Sequence, residues 1–520
     1  MENCLKLRQR KILIYLILLC ACMLFCACGK DASEAKPQEN AAAAATPTLS
    51  APTEPTESPV PTEPAEAAVT PTATPTATSV PTGTPMPTAT PTPVITDPYD
   101  GRYWTGMYAE DKTVLMTKEE IQEQNDRNYR ISGTKLVKLT EVTEYSAADI
   151  VAMIEAYSLP SRKYYDNREI SSRDKENLLQ ARNLSALRTA GSKKTEPEYG
   201  ILTENTDLRS FPTDKRMTSQ VQGRFDYLQE TRLLIGEAVL VLHRSADGTW
   251  CFVQAENYCG WIREKAVAYC TRDEFCSVAE AMADAENGAV VVVTKNGSYS
   301  AANRTIYLRM GTRLCGTVDG GVAYVQLPKR DAEGGLVWEH ISLSCADETG
   351  TDCFAAGYLP YTRENVMRLA VRLLDAPYAW GDAPSFGADA AEVGDNGMDC
   401  SSTVLSIFRC FGFALPRNTG TQRKMDCVKT DLSGLGLQER REVLDGLQGG
   451  ELLYTSGHVM LYLGQAGGEY YILHNTSTED RDDGKKDEFY RCVITTTGLG
   501  KTGQTITERL IQMNALLPID

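Results

Sequence analysis

The stretch from residue 398 to residue 412 reads MDCSSTVLSIFRCFG, and it predicts a helix that carries a cysteine at its start. Asp399 is a suitable N-cap, and Gly412 is a suitable residue just past the end. Cys400 then lies in the first turn, where unpaired N–H groups and the helix dipole favour the thiolate. The apolar residues recur at helical spacing: Val404, Leu405, Ile407, Phe408 and Phe411.

Two of the chain's four histidines follow in a predicted hairpin. Residues 458–463 and 469–474 are apolar-rich runs separated by five residues that contain three glycines. If Leu463 pairs with Glu469, His458 falls opposite His474 on the same face of the sheet, whereas a slip of one residue would separate them. One imidazole could then take the Cys400 proton while the other fixes its tautomer.

The competing interpretation is that Cys400 is an inert buried cysteine and that the histidines only pack, since the chain has 16 cysteines. Two histidines in register beside a cysteine at a helix start favour the catalytic interpretation.

Residues 360–475 closely resemble the NlpC-type cysteine peptidases, which are bacterial cell-wall hydrolases with a reduced papain-like fold. The matching residues are Pro377-Tyr378-Ala379-Trp380-Gly381, Asp399-Cys400-Ser401-Ser402, Leu415-Pro416-Arg417-Asn418-Thr419 with Gln422, Gly449-Gly450-Glu451-Leu452-Leu453, His458 and His474.

The resemblance implies that Cys400 is the nucleophile, His458 the general base and His474 the orienting residue. It also implies that six residues line or support the substrate groove: Tyr378, Trp380, Asp399, Ser401, Arg417 and Thr419. The sequence departs from the family pattern at Asp382 and Ser402, where glycine is usual, and residues 383–397 form an insertion that predicts a loop near the site.

The first 28 residues resemble a lipoprotein signal peptide, with a basic start, an apolar run over 12–25 and a cleavage box ending at Cys28. This predicts lipidation of Cys28 and an anchor on the outer face of the bacterial membrane. A second box at 19–22, an ordinary secretory signal and an uncleaved anchor are the alternatives. Residues 29–98 are rich in Pro, Thr, Ala and Glu, which predicts a disordered, partly polyproline II linker.

The remaining chain predicts an α+β protein of several modules. Residues 99–195 look helical, residues 198–275 resemble a bacterial SH3-like domain, residues 285–358 resemble a second one more weakly, and residues 360–520 form the peptidase domain. In relatives of this architecture the first SH3-like domain closes one end of the groove and helps to recognise the free amine of a short wall peptide. Asp226 and Tyr227 are the candidates for this role in the chain, and Trp250 and Trp261 are expected in the barrel core.

Net charge and cysteine spacing argue against some classes of ligand. The net charge of −16 argues against binding to nucleic acid or to an anionic surface. No close Cys-x-x-Cys pair follows the signal region, which argues against a zinc site. Export would permit disulfides, but some cysteines, such as Cys410, are equally consistent with buried free thiols. We expect a monomer that needs no cofactor.

The sequence therefore predicts a lipid-anchored cysteine endopeptidase that acts on peptidoglycan stem peptides. By resemblance, the bond it cleaves joins γ-D-glutamate to a diamino acid. Two alternatives stay open: another amide or ester transfer on the same fold, and a wall-binding lipoprotein whose catalytic domain is inert.

Overall fold

A computed structural model describes residues 95–283, 289–345, 352–383 and 397–519. The predicted signal peptide, Cys28, nearly all of the linker and most of the insertion at 383–397 lie outside the described residues. Within the described ranges, none of the helices combines the length and the apolar character that crossing a membrane requires.

Residues 95–195, which precede the first β-domain (residues 198–270), are mainly helical, as predicted. The capping box of Thr117 and Glu120 forms, and Ser146 caps its helix by accepting from the amide of Asp149. The α-helices are Gly101–Met107, Lys118–Arg130, Ala147–Glu155, Ser172–Ala181 and Leu184–Ala190. Short strands are Tyr145–Ser146, Tyr164–Tyr165, Arg168–Glu169 and Lys194–Thr195.

The first helix of this region packs on the peptidase domain. The indole of Trp104 is fully buried, with its ring centroid 5.4 Å from that of Tyr471. The hydroxyl of Tyr108 donates to the carbonyls of Gln448, at 2.9 Å, and Leu463, at 2.8 Å. The start of the described chain is therefore part of the same packed core.

The first β-domain is an antiparallel sheet of seven strands. Trp250 and Trp261 are 4% and 0% exposed, so the prediction that they pack in the core is confirmed. In sheet order the strands are Val267–Cys270, Glu198–Leu202, Ala238–Arg244, Trp250–Gln254, Cys259–Arg263, Thr206–Arg209 and Gln229–Leu233. Met217–Thr218 pairs instead with Tyr164–Tyr165 of the helical region.

The helix Arg272–Ala283 leads to a second all-β domain, which contains a disulfide between Cys345 and Cys353. In sheet order its strands are Arg304–Leu308, Gly297–Ala301, Leu336–Cys345, Val322–Arg330, Arg313–Asp319, Val290–Val293 and Phe354–Ala356.

The last domain packs helices against an antiparallel sheet of six strands, so the predicted α+β class is confirmed. Its central helix, Cys400–Arg409, is buried along its whole length and includes no exposed residue. The other α-helices are Arg363–Val371, Thr419–Gln422, Leu437–Asp445 and Ile506–Arg509. In sheet order the strands are Val428–Asp431, Gln512–Ala515, Leu452–Thr455, His458–Ala466, Glu469–Asp480 and Lys486–Thr496, and a separate hairpin joins Gly500–Lys501 to Gln504–Thr505. Cys410, which caps the central helix, is a buried free thiol.

The hairpin that carries the histidines has a tighter turn than predicted. Ala466 pairs with Glu469, so the turn consists of Gly467 and Gly468 alone, instead of the predicted five-residue loop. Both glycines have positive φ, 58° and 84°, as the preferred two-residue hairpin turns require. The predicted pairing of Leu463 with Glu469 is therefore wrong.

A bulge at residues 462–464 then changes the register again, so that Leu461 lies opposite Leu473. Continued along the strands, this register places His474 two positions away from the residue opposite His458. A shift of two residues keeps both side chains on one face, because side chains alternate with a period of two. The predicted face is therefore right although the predicted pairing is wrong.

Candidate active site

Cys400 is held at the start of the buried helix by a well-formed cap. The Asp399 carboxylate accepts from the amide of Ser402 at 2.9 Å, as the sequence predicts for an N-cap. The cysteine is 8% exposed, and its Sγ lies 3.6 Å from Oγ1 of Thr419. The residue is therefore almost completely buried at the start of the helix.

The surroundings of Cys400 disfavour the thiolate, contrary to the expectation from the helix start alone. Burial, followed by the negative charge of Asp399, raises the pKa of the thiol from 9.0 to about 11. Hydrogen bonds from the backbone of Val459 and from Thr419, and the charge of Arg417, act in the opposite direction but are outweighed. At neutral pH Cys400 is therefore a thiol that needs a base.

The two histidines form a hydrogen-bonded pair beside this helix. Nε2 of His458 lies 2.9 Å from Nδ1 of His474, and Nε2 of His474 lies 3.0 Å from Oγ1 of Thr495. If His458 is to accept a proton at Nδ1, its Nε2–H must donate to His474, whose own Nε2–H then donates to Thr495. One set of tautomers thus satisfies both of these hydrogen bonds and leaves Nδ1 of His458 as the basic atom.

Both histidines are neutral at physiological pH. Burial, together with the positive charge of Arg509, lowers the pKa of His458 from 6.5 to about 4. Burial and the charge of His458 lower the pKa of His474 well below its usual value. A neutral imidazole orients its neighbour but, unlike a carboxylate, offers no charge to stabilise an imidazolium.

A buried ion pair supports the start of the helix from below. Arg417, 2% exposed, donates to both oxygens of Asp399, at 3.1 and 2.7 Å, and to Oγ of Ser401 at 2.9 Å. Its Nε donates to Oγ1 of Thr231 in the first β-domain at 2.5 Å. Arg417 therefore supports the groove and does not line it.

Asp382 and Ser402, the two residues that depart from the family pattern, contact each other. Oγ of Ser402 donates to Oδ1 of Asp382 at 2.5 Å, and Oδ1 of Asp382 also accepts from the amide of Asp399 at 3.1 Å. Asp382 also lies 3.3 Å from Arg417 and 3.7 Å from Arg309 of the second β-domain. The two residues that replace glycine thus act together as a second brace at the helix start.

Cys400 and His458 open into one cavity of about 560 Å³, whose walls come from three parts of the chain. The helical region contributes Pro160, Ser161 and Arg162; the first β-domain contributes Tyr227, Gln229, Glu230 and Tyr258. The peptidase domain contributes Tyr378, Trp380, Gly381, Asp399, Cys400, Ser401, Asn418, Thr419, Gly420, Gly457 and His458.

The structure brings most of the predicted groove residues to this cavity. Trp380 is 46% exposed, and its ring centroid is 6.2 Å from that of Tyr227. Tyr378 meets Phe225 edge to face, at 5.7 Å between centroids. Tyr378, Trp380, Asp399, Ser401 and Thr419 all line the cavity, whereas His474 and Arg417 lie behind it.

One candidate of the first β-domain is corrected. Asp226 is 1% exposed and pairs with Arg209 at 2.8 Å, so it does not face the cavity. Its neighbour Tyr227 does line it. The acid that the first β-domain places at the cavity is Glu230, which accepts from the hydroxyl of Tyr258 at 2.6 Å, and burial raises the pKa of Glu230.

Sequence reasoning missed Glu230, Tyr258, Arg162 and Thr495. In the strand Gln229–Leu233, Glu230 is a partly exposed position between buried ones, but four of these five residues are polar, so no apolar alternation in the sequence marks it. No group of three or more His, Cys, Asp or Glu side chains among the described residues is arranged to hold a metal ion.

A thiol on a buried helix and a histidine pair on the adjoining sheet define a papain-like cysteine peptidase domain. Residues 375–487 match the NlpC/P60 family model, and residues 215–263 match that of the SH3 domain of the SH3b1 type. The chain thus carries an NlpC/P60 domain, of a cysteine peptidase family, behind an SH3b1-type domain, and the resemblance to this family is confirmed.

Two curated relatives are gamma-D-glutamyl-L-lysine dipeptidyl-peptidases. The one from Bacillus subtilis (strain 168) is 32% identical over 125 residues, which are 22% of this chain and 33% of the relative. The one from Bacillus cereus (strain ATCC 10987 / NRS 248) is 24% identical over 272 residues, 48% of this chain and 68% of the relative. The chain thus spans about a third of the first relative and about two thirds of the second.

A solved structure shares the fold over most of the chain. It is described as a novel NlpC/P60 endopeptidase from Photobacterium damselae subsp. piscicida. The TM-score is 0.62 at 16% identity, over 82% of this chain and 99% of that one.

Proposed function

We propose that this protein is a cysteine endopeptidase that hydrolyses peptidoglycan stem peptides between γ-D-glutamate and the following diamino acid. The observation that carries the proposal is the single cavity into which Cys400 and His458 open and which the SH3b1-type domain closes on one side. The names of the two curated relatives support the choice of bond.

In the proposed mechanism Cys400 attacks the γ-carbonyl while Nδ1 of His458 takes the thiol proton. The backbone N–H of Cys400, which lacks an intrahelical acceptor at the first helical position, is the proposed donor to the oxyanion. The imidazolium then gives its proton to the departing amine, and a thioester remains. A water that His458 deprotonates hydrolyses the thioester and restores the thiol.

Glu230 is the proposed acceptor for the free amino terminus of the substrate. The carboxylate already accepts one hydrogen bond, from Tyr258, whose hydroxyl in turn accepts from Nδ2 of Asn418 at 3.2 Å. The raised pKa of Glu230 reflects the cost of burying its charge, and an ammonium beside it would offset that cost. An amide in the place of the ammonium would leave the carboxylate without a charged partner.

The test compares the tripeptide L-alanyl-γ-D-glutamyl-diamino acid with its N-acetylated form, with products identified by mass spectrometry. The wild type should release the dipeptide from the free tripeptide and cleave the acetylated form at least 100-fold more slowly, since sites that bind a polar group discriminate strongly against its loss. Glu230→Gln should lose most of that preference, while Glu204→Gln, at an exposed position of the same β-domain, should keep it.

Equal rates on both peptides would show that the SH3b1-type domain acts in wall targeting and does not select the amino terminus. No cleavage of either peptide by the wild type would refute the proposed reaction.

We also propose that Cys28 carries a lipid that holds the enzyme at the outer face of the bacterial membrane, within reach of the wall. The support is the cleavage box at 24–29 and the polar linker that follows it. Cys28→Ser should move the protein from the membrane fraction to the soluble exported fraction. A variant that stays in the membrane fraction would refute lipidation at this position.

A further inference from the structure

Arg162 lies at the cavity although it belongs to neither of the two matched domains. It sits in the segment between the helix Ala147–Glu155 and the strand Tyr164–Tyr165. Among the described residues that line the cavity it is the sole lysine or arginine. The other charged groups there are carboxylates, of which Asp399 is already paired with Arg417.

The guanidinium of Arg162 is oriented by an aromatic face. Its Cζ lies 4.0 Å from the ring centroid of Tyr227, whose ring also faces Trp380 across 6.2 Å. Stacking holds the planar group in place and leaves its N–H edges available, which is how arginine binds carboxylates with two hydrogen bonds. Within the described chain no acidic side chain forms an ion pair with Arg162.

The segment that carries Arg162 is tied to the first β-domain at both ends. The hydroxyl of Tyr157 donates to the carbonyl of Cys259 at 2.5 Å. Tyr165 is buried, pairs with Met217 across strands and lies 2.9 Å from the hydroxyl of Thr213. With both ends of its segment held and its guanidinium stacked on Tyr227, Arg162 is positioned at the cavity wall although its side chain is exposed.

We propose that Arg162 is a specificity residue that binds a free carboxylate of the stem peptide, and that this carboxylate is the α-carboxylate of the γ-D-glutamyl residue. This inference rests on the proposed function. A γ-linked glutamyl residue uses its side-chain carboxyl in the scissile bond, so its α-carboxylate stays free a few bonds from the reacting carbon. Arg162 shares the wall of Tyr227 with Glu230, the side of the cavity assigned to the acyl part of the substrate.

The second source of a carboxylate is the diamino acid on the leaving side, and the test separates the two. Three tripeptides are compared: the unmodified one, one with D-isoglutamine in the place of D-glutamate, and one with an amidated diamino acid. The wild type should cleave the isoglutamine peptide about 10-fold less efficiently than the unmodified one, in KM more than in kcat. Arg162→Gln should cleave the unmodified peptide about 10-fold less efficiently and the isoglutamine peptide as well as the wild type does.

Two further variants sharpen the result. Arg162→Lys keeps the charge but loses the fork and the stacking, so it should fall between Arg162→Gln and the wild type. Arg173→Gln, an exposed arginine on the helix Ser172–Ala181, should match the wild type on every peptide. An unchanged preference in Arg162→Gln, or an equal loss on all three peptides, would overturn the proposal. Loss of preference only for the amidated diamino acid would overturn the assignment to the γ-glutamyl residue.

A binding measurement separates failure of this inference from failure of the proposed reaction. Calorimetry with the Cys400→Ala protein compares the dipeptide L-alanyl-γ-D-glutamate with its isoglutamine analogue. About 10-fold weaker binding of the analogue, abolished by adding Arg162→Gln, supports the carboxylate site even if no peptide is cleaved. Equal binding of the two dipeptides, or binding of neither, would overturn it.

Discussion

The pH dependence of catalysis should depend on the charge of the residue behind His458. The base must be neutral to accept the Cys400 proton, so kcat/KM falls as the pH drops through the pKa of His458, about 4. A fall from the ordinary 6.5 to about 4 means that the imidazolium is disfavoured by about 3 kcal/mol. Neutral His474, at 2.9 Å, does nothing to offset that cost.

The perturbation is a matched pair, His474→Asp and His474→Asn. Asp places a carboxylate beside Nε2 of His458, where Oγ1 of Thr495 is available as a donor, and an opposite charge at this distance raises a pKa by about 1–3 units. The acid limb of the pH profile, where kcat/KM falls as the pH drops, should therefore move in His474→Asp from near pH 4 to about pH 5–7. Asn offers an acceptor of the same size without charge, so its limb should stay near that of the wild type.

The assay is kcat/KM for the unmodified tripeptide between pH 3 and 8. Glu230, whose pKa is raised by burial, is common to both variants, so the difference between them reports on His458. Folding is followed by circular dichroism at each pH. Because burial lowers both histidine pKa values, protonating these residues opposes folding. The protein therefore has its full stability above about pH 6.5 and loses stability as the pH falls towards the pKa values of the folded state.

Two results would refute this reasoning. One is a wild-type limb at or above pH 6.5 in folded protein, which would mean that His458 is not held neutral by its surroundings. The other is an identical limb in the Asp and Asn variants, which would mean that the residue at position 474 does not communicate its charge to the base.

Three further outcomes are expected. Cys400→Ala should abolish turnover, measured by release of the dipeptide, and change the free energy of unfolding by only about 1 kcal/mol, because a small side chain is trimmed. Thr495→Val should lower kcat about 10-fold because the Nε2–H of His474 loses its acceptor, and Thr495→Ser should restore it. Arg417→Met should lower the free energy of unfolding in urea by about 3–5 kcal/mol, because two buried carboxylates lose their shared partner. An active Cys400→Ala, an unaffected Thr495→Val or a stable Arg417→Met would each contradict the role assigned to that residue.

The sequence predicts those parts of the site that depend on local rules. Asp399 caps the helix because a carboxylate three residues before a free amide satisfies it wherever the helix packs. The histidines share a face because strand side chains alternate, and an error of two positions in register leaves the face unchanged. The pairing itself depends on the bulge at residues 462–464, and nothing in the local pattern marks it.

The residues that sequence reasoning missed are brought to the cavity by contacts between modules. Glu230 and Tyr258 lie on different strands of the first β-domain, and Arg162 comes from the helical region before it. Their position depends on how three modules pack, which periodicity and motif spacing do not encode. Asp226, the acid nearest to the predicted candidate Tyr227, pairs with Arg209 in the core instead.

The electrostatic state of Cys400 follows from a cluster that the motif alone does not reveal. Two carboxylates, Asp382 and Asp399, meet two guanidinium groups, Arg417 and Arg309, so the cluster as a whole carries no net charge. Because Asp399 is the member next to the thiol, its charge adds to the effect of burial, and the pKa of Cys400 rises. The cluster therefore positions Cys400, the proposed nucleophile, without lowering the pKa of its thiol. In the proposed mechanism activation then rests on His458, which burial keeps neutral just as it keeps the thiol protonated, so both partners of the proton transfer start uncharged.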